Sequence, residues 1–253
     1  VTIADNLTIS SSGNYSGLNT GTADLTLNGP VTATSGGILS YGGTIKFGAG
    51  AAGTTFAANG TGMRIIDTAL VLETDIEGSN NLFAGSATLQ TNGKKISLRS
   101  ISLGYDFSKD LQTELDFTDI ETDNNSSIYL FGNSSIKKTG DLVLKRILLG
   151  GQTLTLNAGI PSLTVAEIGL TSYNPNHPFY LSNAGKLVAQ GVDIRLTKKL
   201  WVDKGKIDMG GGTLTLVKGG GLGSSGNGQI DLSNSTLELE GPFLNDGGIL
   251  TTA

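Results

Sequence analysis

Apolar residues in this chain fall at every second position in short runs, and each run closes on glycine or asparagine. The phrase recurs as DLTLNG at 24–29, TIKFG at 44–48, TLQTNG at 88–93 and SIYLFG at 127–132. It returns as TLTLNAG at 153–159, TLTLVKG at 213–219 and TLELEG at 236–241. Period-two spacing predicts a short strand with one buried face. The closing Gly or Asn accepts the positive φ of a tight turn. Further strands are predicted around Leu7–Ile9, Leu70–Leu72, Leu142–Leu144, Leu163–Val165, Ile194–Leu196 and Ile230–Leu232. Helical periodicity is nearly missing, with 106–115 the one candidate stretch.

Many short strands with Gly and Asn turns fit an all-β sandwich, barrel or solenoid. Sandwich hairpins usually show two-residue turns between strands. Here the gaps are irregular, and the phrases repeat with the loose similarity of stacked coils. The expected fold is a parallel β-solenoid (β-helix) of roughly ten short coils, with a β-sandwich as the alternative. Leu and Ile take the inward positions, and Thr, Ser and Asn the outward ones. The expected organisation is one elongated domain over 1–253, with loop insertions near 104–126 and 171–180.

Composition narrows the classes. Glycine takes 38 of 253 positions, charged residues are 15 %, and cysteine is absent. The absence of cysteine excludes a disulfide scaffold, a cysteine metal site and a thiol enzyme. No run of about 18 apolar residues is present, so no helical membrane span is expected. A net charge of −5 argues against nucleic acid as a partner. The small-polar composition and the start at Val1 predict an exported chain, processed or excised. With its repeated phrases, the chain resembles secreted bacterial parallel β-helix surface proteins, the adhesin and autotransporter-passenger group. The resemblance implies an extracellular, elongated, structural or adhesive protein, and it assigns no residue a role.

The chemistry-bearing residues are few. The one histidine, His177, lies with Tyr173, Phe179 and Tyr180 in a Pro- and Asn-rich stretch. Clustered aromatics can stack on sugars or anchor a partner, so these four form a candidate ligand-binding loop for surface glycans. Asp119, Glu121 and Asp123 would project from one face of a strand. They form a candidate Ca²⁺ site, since calcium takes six to eight oxygens. Otherwise no cofactor is expected. Pectin-degrading β-helix hydrolases carry paired Asp residues and a glycine-flanked His. This chain has neither, and no catalytic residue is assigned. The Gly runs at 210–212 and 219–221 lack the Lys-Ser/Thr of a phosphate loop and read as corners between coils. Thr-x-Thr pairs at Thr32/Thr34, Thr153/Thr155 and Thr213/Thr215 are too few and too unevenly spaced to form a stacked ladder.

Residues 1–125 carry 13 acidic and 6 basic side chains, and residues 126–253 carry 9 and 11. Opposite ends favour head-to-tail contact, and a contact that does not close makes a filament. Both 1–3 and 249–251 read as strands without a polar cap. The expected function is a non-catalytic, secreted, cell-surface structural protein that assembles with copies of itself into a fibre or layer. The expected assembly residues are Val1, Thr2, Ile3, Leu7 and Ile9 at one edge and Ile249, Leu250 and Thr251 at the other. Lys198, Lys199 and the carboxylates of 116–123 are secondary contacts. The alternatives are a surface adhesin or carbohydrate-binding module, and a β-helix polysaccharide lyase or hydrolase.

Overall fold

The computed structural model describes residues 1–10, 17–56, 62–104, 113–157, 159–169, 179–180 and 185–252. The chain divides into two compact units, Val1–Thr122 and Asp123–Ala253. Each is a parallel β-solenoid, and the two together carry about ten turns. No α-helix is present among the described residues; Ala49–Ala51 is a single 3₁₀ turn.

In the first unit three sheets wrap one core. One sheet stacks Thr2–Ile3, Leu25–Leu27, Thr44–Phe47, Ala69–Leu72 and Thr88–Gln90. A second stacks Leu7–Ile9, Val31–Ala33 and Thr55–Phe56. A third stacks Gly17–Asn19, Gly37–Ser40, Gly62–Ile66, Ile76–Gly85 and Ile96–Leu103. Every pair is parallel, which hairpins of a sandwich cannot give. Alternation sends one set of side chains inward. Leu25, Ile45 and Leu70 stack in one inward column, and Ile38, Met63 and Leu82 in another, all buried.

The second unit follows the same plan. Leu142–Leu148, Ser162–Gly169, Asp193–Leu196, Thr213–Leu216 and Thr236–Leu239 stack in order on one sheet. Ser134–Lys137, Thr153–Leu156, Lys186–Val188, Leu200–Asp208 and Gly220–Asp231 form another. The last of these strands is long enough to carry two partners, Phe243–Asn245 near its start and Ile249–Thr251 near its end. Inward columns such as Leu163–Ile194–Leu214 are buried throughout.

Register gives the turn length. Leu25 pairs with Ile45, and Ile45 with Leu70, so successive turns hold 20 and 25 residues. One turn is longer: Leu163 pairs with Ile194, 31 residues on. The extra length falls on 170–178 and 181–184, outside the described residues. The stretch 105–112 also lies outside them, while Thr113–Asp116 and Ile120–Glu121 are strands.

Three local devices hold the turns in register. The first is a side-chain bracket between neighbouring turns. Asp24, Asp75, Asn133 and Asp193 each accept the main-chain N–H of the residue twenty positions on, Thr44, Lys95, Thr153 and Thr213, at 2.7–2.8 Å. The second is buried hydroxyls at corners, where the ladder leaves amides without a main-chain partner. Thr54 Oγ1 accepts the Val31 N–H, Thr68 Oγ1 the Gly42 N–H, and Thr113 Oγ1 the Gly104 N–H, each at 3.1 Å. A buried amide left unpaired costs far more than the hydroxyl's own desolvation. The third is a glycine column, Gly17–Gly37–Gly62. A Cβ on Gly37 would lie 1.9 Å from the Gly62 carbonyl oxygen.

The register stacks no Thr-x-Thr pair on another, with Thr153 beside Lys186, Thr155 beside Val188 and Thr215 beside Glu238, but it aligns single threonines on one face. Thr8, Thr32 and Thr55 form one exposed outward row in the first unit. The pairs look too uneven in the sequence because turn lengths vary, and only register aligns single threonines from unlike phrases.

Candidate assembly edges and charged clusters

The first unit has an edge of three strands, each bonded on one side only among the described residues. Thr2–Ile3 pairs with Leu25–Leu27, Leu7–Ile9 with Val31–Ala33, and Gly17–Asn19 with Gly37–Ser40. Val1 is tied down as well: its carbonyl accepts the Thr26 N–H, and its ammonium donates to the Asp24 carbonyl at 2.7 Å. Ile3, Leu7 and Ile9 point inward with Leu18, while Thr2 points outward. Ile3, Leu7 and Leu18 are only half-buried, whereas Leu27, Val31 and Ile38 in the same columns are fully buried.

The second unit has a matching edge. Thr236–Leu239 pairs only with Thr213–Leu216 among the described residues, and Phe243–Asn245 and Ile249–Thr251 only with Gly220–Asp231. Leu237, Leu239, Phe243 and Leu250 occupy inward positions. Leu239 is nonetheless 45 % exposed, against complete burial of Leu216 beside it. On the outward face Leu244 is 59 % and Ile249 is 49 % exposed. In each unit the core therefore runs open along its axis at this edge. Ile249, Leu250 and Thr251 are legible as edge residues from the sequence, whereas Leu18, Leu237, Leu239, Phe243 and Leu244 are not. Their phrases read as ordinary strands, and only register shows that one side of each lacks a neighbour.

Charge at the edges differs from the sequence expectation of opposite ends. All 17 Lys and Arg fall within 46–218. The first edge region, 1–45, carries Asp5 and Asp24, and the last, 219–253, carries Asp231, Glu238, Glu240 and Asp246. Averaging over half the chain hides this, because the lysines of the second half sit in its inner turns. Both edges carry the same sign.

The expected calcium ligands are occupied otherwise. The strand at 120–121 is two residues long, so the alternation expected to align three carboxylates does not run that far. Asp119 lies in the preceding turn and accepts the Thr91 hydroxyl. Glu121 accepts Ser97 Oγ at 3.0 Å and faces Lys95 at 3.4 Å. Asp123 accepts the Asn125 and Ser126 groups of its own turn. The Asn125 backbone bond chiefly holds its carboxyl below the ordinary value; burial opposes it, and the further bonds from Asn125 and Ser126 support it. Among the described residues no group of three acidic or histidine side chains is placed to hold a metal ion.

Tyr173 and His177 lie outside the described residues. Phe179–Tyr180 forms a short strand that pairs Tyr180 with Trp201. A Cβ on Gly221, the next residue in that row, would meet the Trp201 ring at 2.7 Å, so the indole lies over the glycine.

Two charged clusters stand out in the second unit. Lys206 bonds Asp231 at 2.9 Å, and Asp208 takes Lys186 at 3.0 Å. The Lys206 bond, with those from Ser233, lowers the Asp231 pKa to about 2. In the other cluster Glu167 is 2 % exposed and binds both Arg146, at 2.6 Å, and Lys198. Burial pushes the Glu167 carboxyl up, but the bonds from Lys198 and Arg146 and their charges outweigh it and hold it below the ordinary value.

Compared with protein-family models, curated proteins and solved structures, the chain matches none.

Proposed function

We propose that the chain is a non-catalytic, extracellular structural protein whose turns are extended edge to edge by a second copy of itself. The observation that carries this reading is the axial opening of the core at both edges. Inward Ile3, Leu7, Ile9 and Leu18 at one edge have counterparts in Leu237, Leu239, Phe243 and Leu250 at the other. Three one-sided strands at each edge offer unpaired N–H and C=O groups among the described residues. A second copy whose 2–19 strands stack on the 236–251 strands would continue both the ladder and the apolar columns. The contact is heterologous, so it repeats without closing and builds a fibre. Apolar burial and main-chain bonds drive it, and the acidic edges oppose it.

The test is negative-stain electron microscopy and sedimentation over a concentration series. Fibres with a regular repeat are expected, and Leu239→Lys with Leu250→Lys should abolish them while the purified chain stays β-rich. Single particles of constant mass at every concentration would overturn the reading.

A further inference from the structure

We propose that one corner of the second unit is a ridge that binds a linear acidic polysaccharide. Register defines the corner. Leu144, Val165, Leu196 and Leu216 are aligned in four successive turns. Leu200 and Gly220 are aligned where the chain enters the next side. Residues 145–146 and 166–167 lie at a bend within the strands Leu142–Leu148 and Ser162–Gly169, where Lys145 and Arg146 both leave the core. Residues 197–199 and 217–219 follow Leu196 and Leu216 at the same level, so the four segments stack one turn after another along one bend of the coil. The cations there are Lys145, Arg146, Lys198, Lys199 and Lys218. Sequence alone scatters them over 74 residues; the stacked turns put them in single file.

The carboxylates at this corner are already engaged. Glu167 is buried between the turns and bonds Arg146 from the turn before and Lys198 from the turn after. It holds two members of the file in place rather than facing solvent. In the following turn Glu240 is paired with Arg195 at 3.0 Å. Lys145, Lys199 and Lys218 are exposed and have no carboxylate within ion-pair distance among the described residues. Lys198 keeps 57 % of its side chain exposed despite its bond to Glu167.

The geometry selects the class of ligand. Turns rise by about 4.8 Å, so the file from Lys145 to Lys218 extends about 14 Å along the axis. A compact anion needs donors that converge, and these are strung out. A linear polymer with one carboxylate per sugar meets a cation at every step or two. Nucleic acid fits less well. Its single strands are held by stacking on aromatic side chains interleaved with the cations. The corner residues here are Lys, Arg, Thr, Val, Ala, Glu and Gly, and the protein as a whole is acidic.

The inference stands apart from the assembly reading, and the experiment separates them. Retention on immobilised polygalacturonate is measured at low and at physiological salt. The wild-type chain, the Lys199→Gln/Lys218→Gln variant and the non-stacking Leu239→Lys/Leu250→Lys variant are compared, with neutral dextran and single-stranded DNA as other supports. Expected are retention on polygalacturonate that weakens with salt, none on dextran, and a loss of about tenfold in affinity for the lysine variant. The non-stacking variant should still bind. Absence of retention at low salt, indifference to the lysine changes, or equal retention on DNA would overturn the proposal.

Discussion

Asp193 Oδ1 accepts the main-chain N–H of Thr213 at 2.7 Å, one turn further along the solenoid. The same bracket recurs at Asn133, where the acceptor is an uncharged amide oxygen. The bracket needs the oxygen and not the charge. Asp193→Ala is expected to cost about 1 kcal/mol, and Asp193→Asn a small fraction of that. Urea unfolding of the two variants checks it, and equal losses would assign the effect to charge.

The glycine column makes a sharper prediction. At Gly37 the added Cβ would collide with the main chain of the next turn, which cannot move without breaking the ladder. Gly21 has open space around it and only its φ of +57° to penalise a side chain. Gly37→Ala should cost more than about 3 kcal/mol. Gly21→Ala should cost about 1 to 2 kcal/mol. Thermal melts of both variants would show whether this order holds.

Burial along one column should grade the cost of truncation. Leu214 is fully buried between Ile194 and Leu237, while Leu237 has a neighbour on one side only among the described residues. Leu214→Ala is expected to lose about 3 kcal/mol. Leu237→Ala should lose about 1 kcal/mol, the worth of a partly buried side chain. Similar losses in a non-assembling background would mean that the edge is already covered.

Acid should remove the Asp231 contribution in a defined window. The folded carboxyl titrates near 2, below its ordinary value of 3.8. The stability it adds is therefore complete above about pH 4 and is lost as pH falls toward 2. The Asp231 and Lys206 side chains stay only 25 % and 30 % exposed, yet they meet at the surface. Asp231→Asn should therefore cost about 0.5 to 1 kcal/mol at pH 7 and much less at pH 2, where half of the folded carboxyls are protonated. Paired melts at the two pH values decide it.

Salt should act on stacking in the opposite sense to a complementary contact. Glu240 is paired with Arg195, which leaves Glu238 and Asp246 on one edge to approach Asp5 on the other. Screening relieves that repulsion, so fibre formation is expected to rise with ionic strength. A fall with added salt would point to oppositely charged contacts instead.

Much of the fold is legible in the sequence because alternation is a local property. Phrases such as 153–159 and 213–219 carry the inward–outward pattern, the closing turn and the small outward residues in a few positions. Turn length is not legible, since 20, 25 and 31 residues are all spent on one circuit. Anything that depends on alignment between turns therefore stays hidden. The Asp193–Thr213 bracket, the cationic file from Lys145 to Lys218 and the exposure of Leu239 are all of that kind. A constant offset of twenty between Asp or Asn and the residue that opens, or just precedes, a strand of the following turn is the one readable signal of it. The expectation of a shared face for Asp119, Glu121 and Asp123 fails for the reverse reason, as it assumes a strand longer than the two residues that pair there.

Within each unit, the main-chain partners of a residue lie one turn away, about twenty to thirty-three positions along the chain. No strand waits for a distant part of the sequence to arrive. Folding can therefore start at any well-packed pair of turns and spread in both directions, each turn templating the next. Unfolding should run the same way in reverse. Hydrogen exchange would be fastest in the half-covered turns around Leu18 and Leu239 and would slow progressively inward, like a coil unwinding from its loose end.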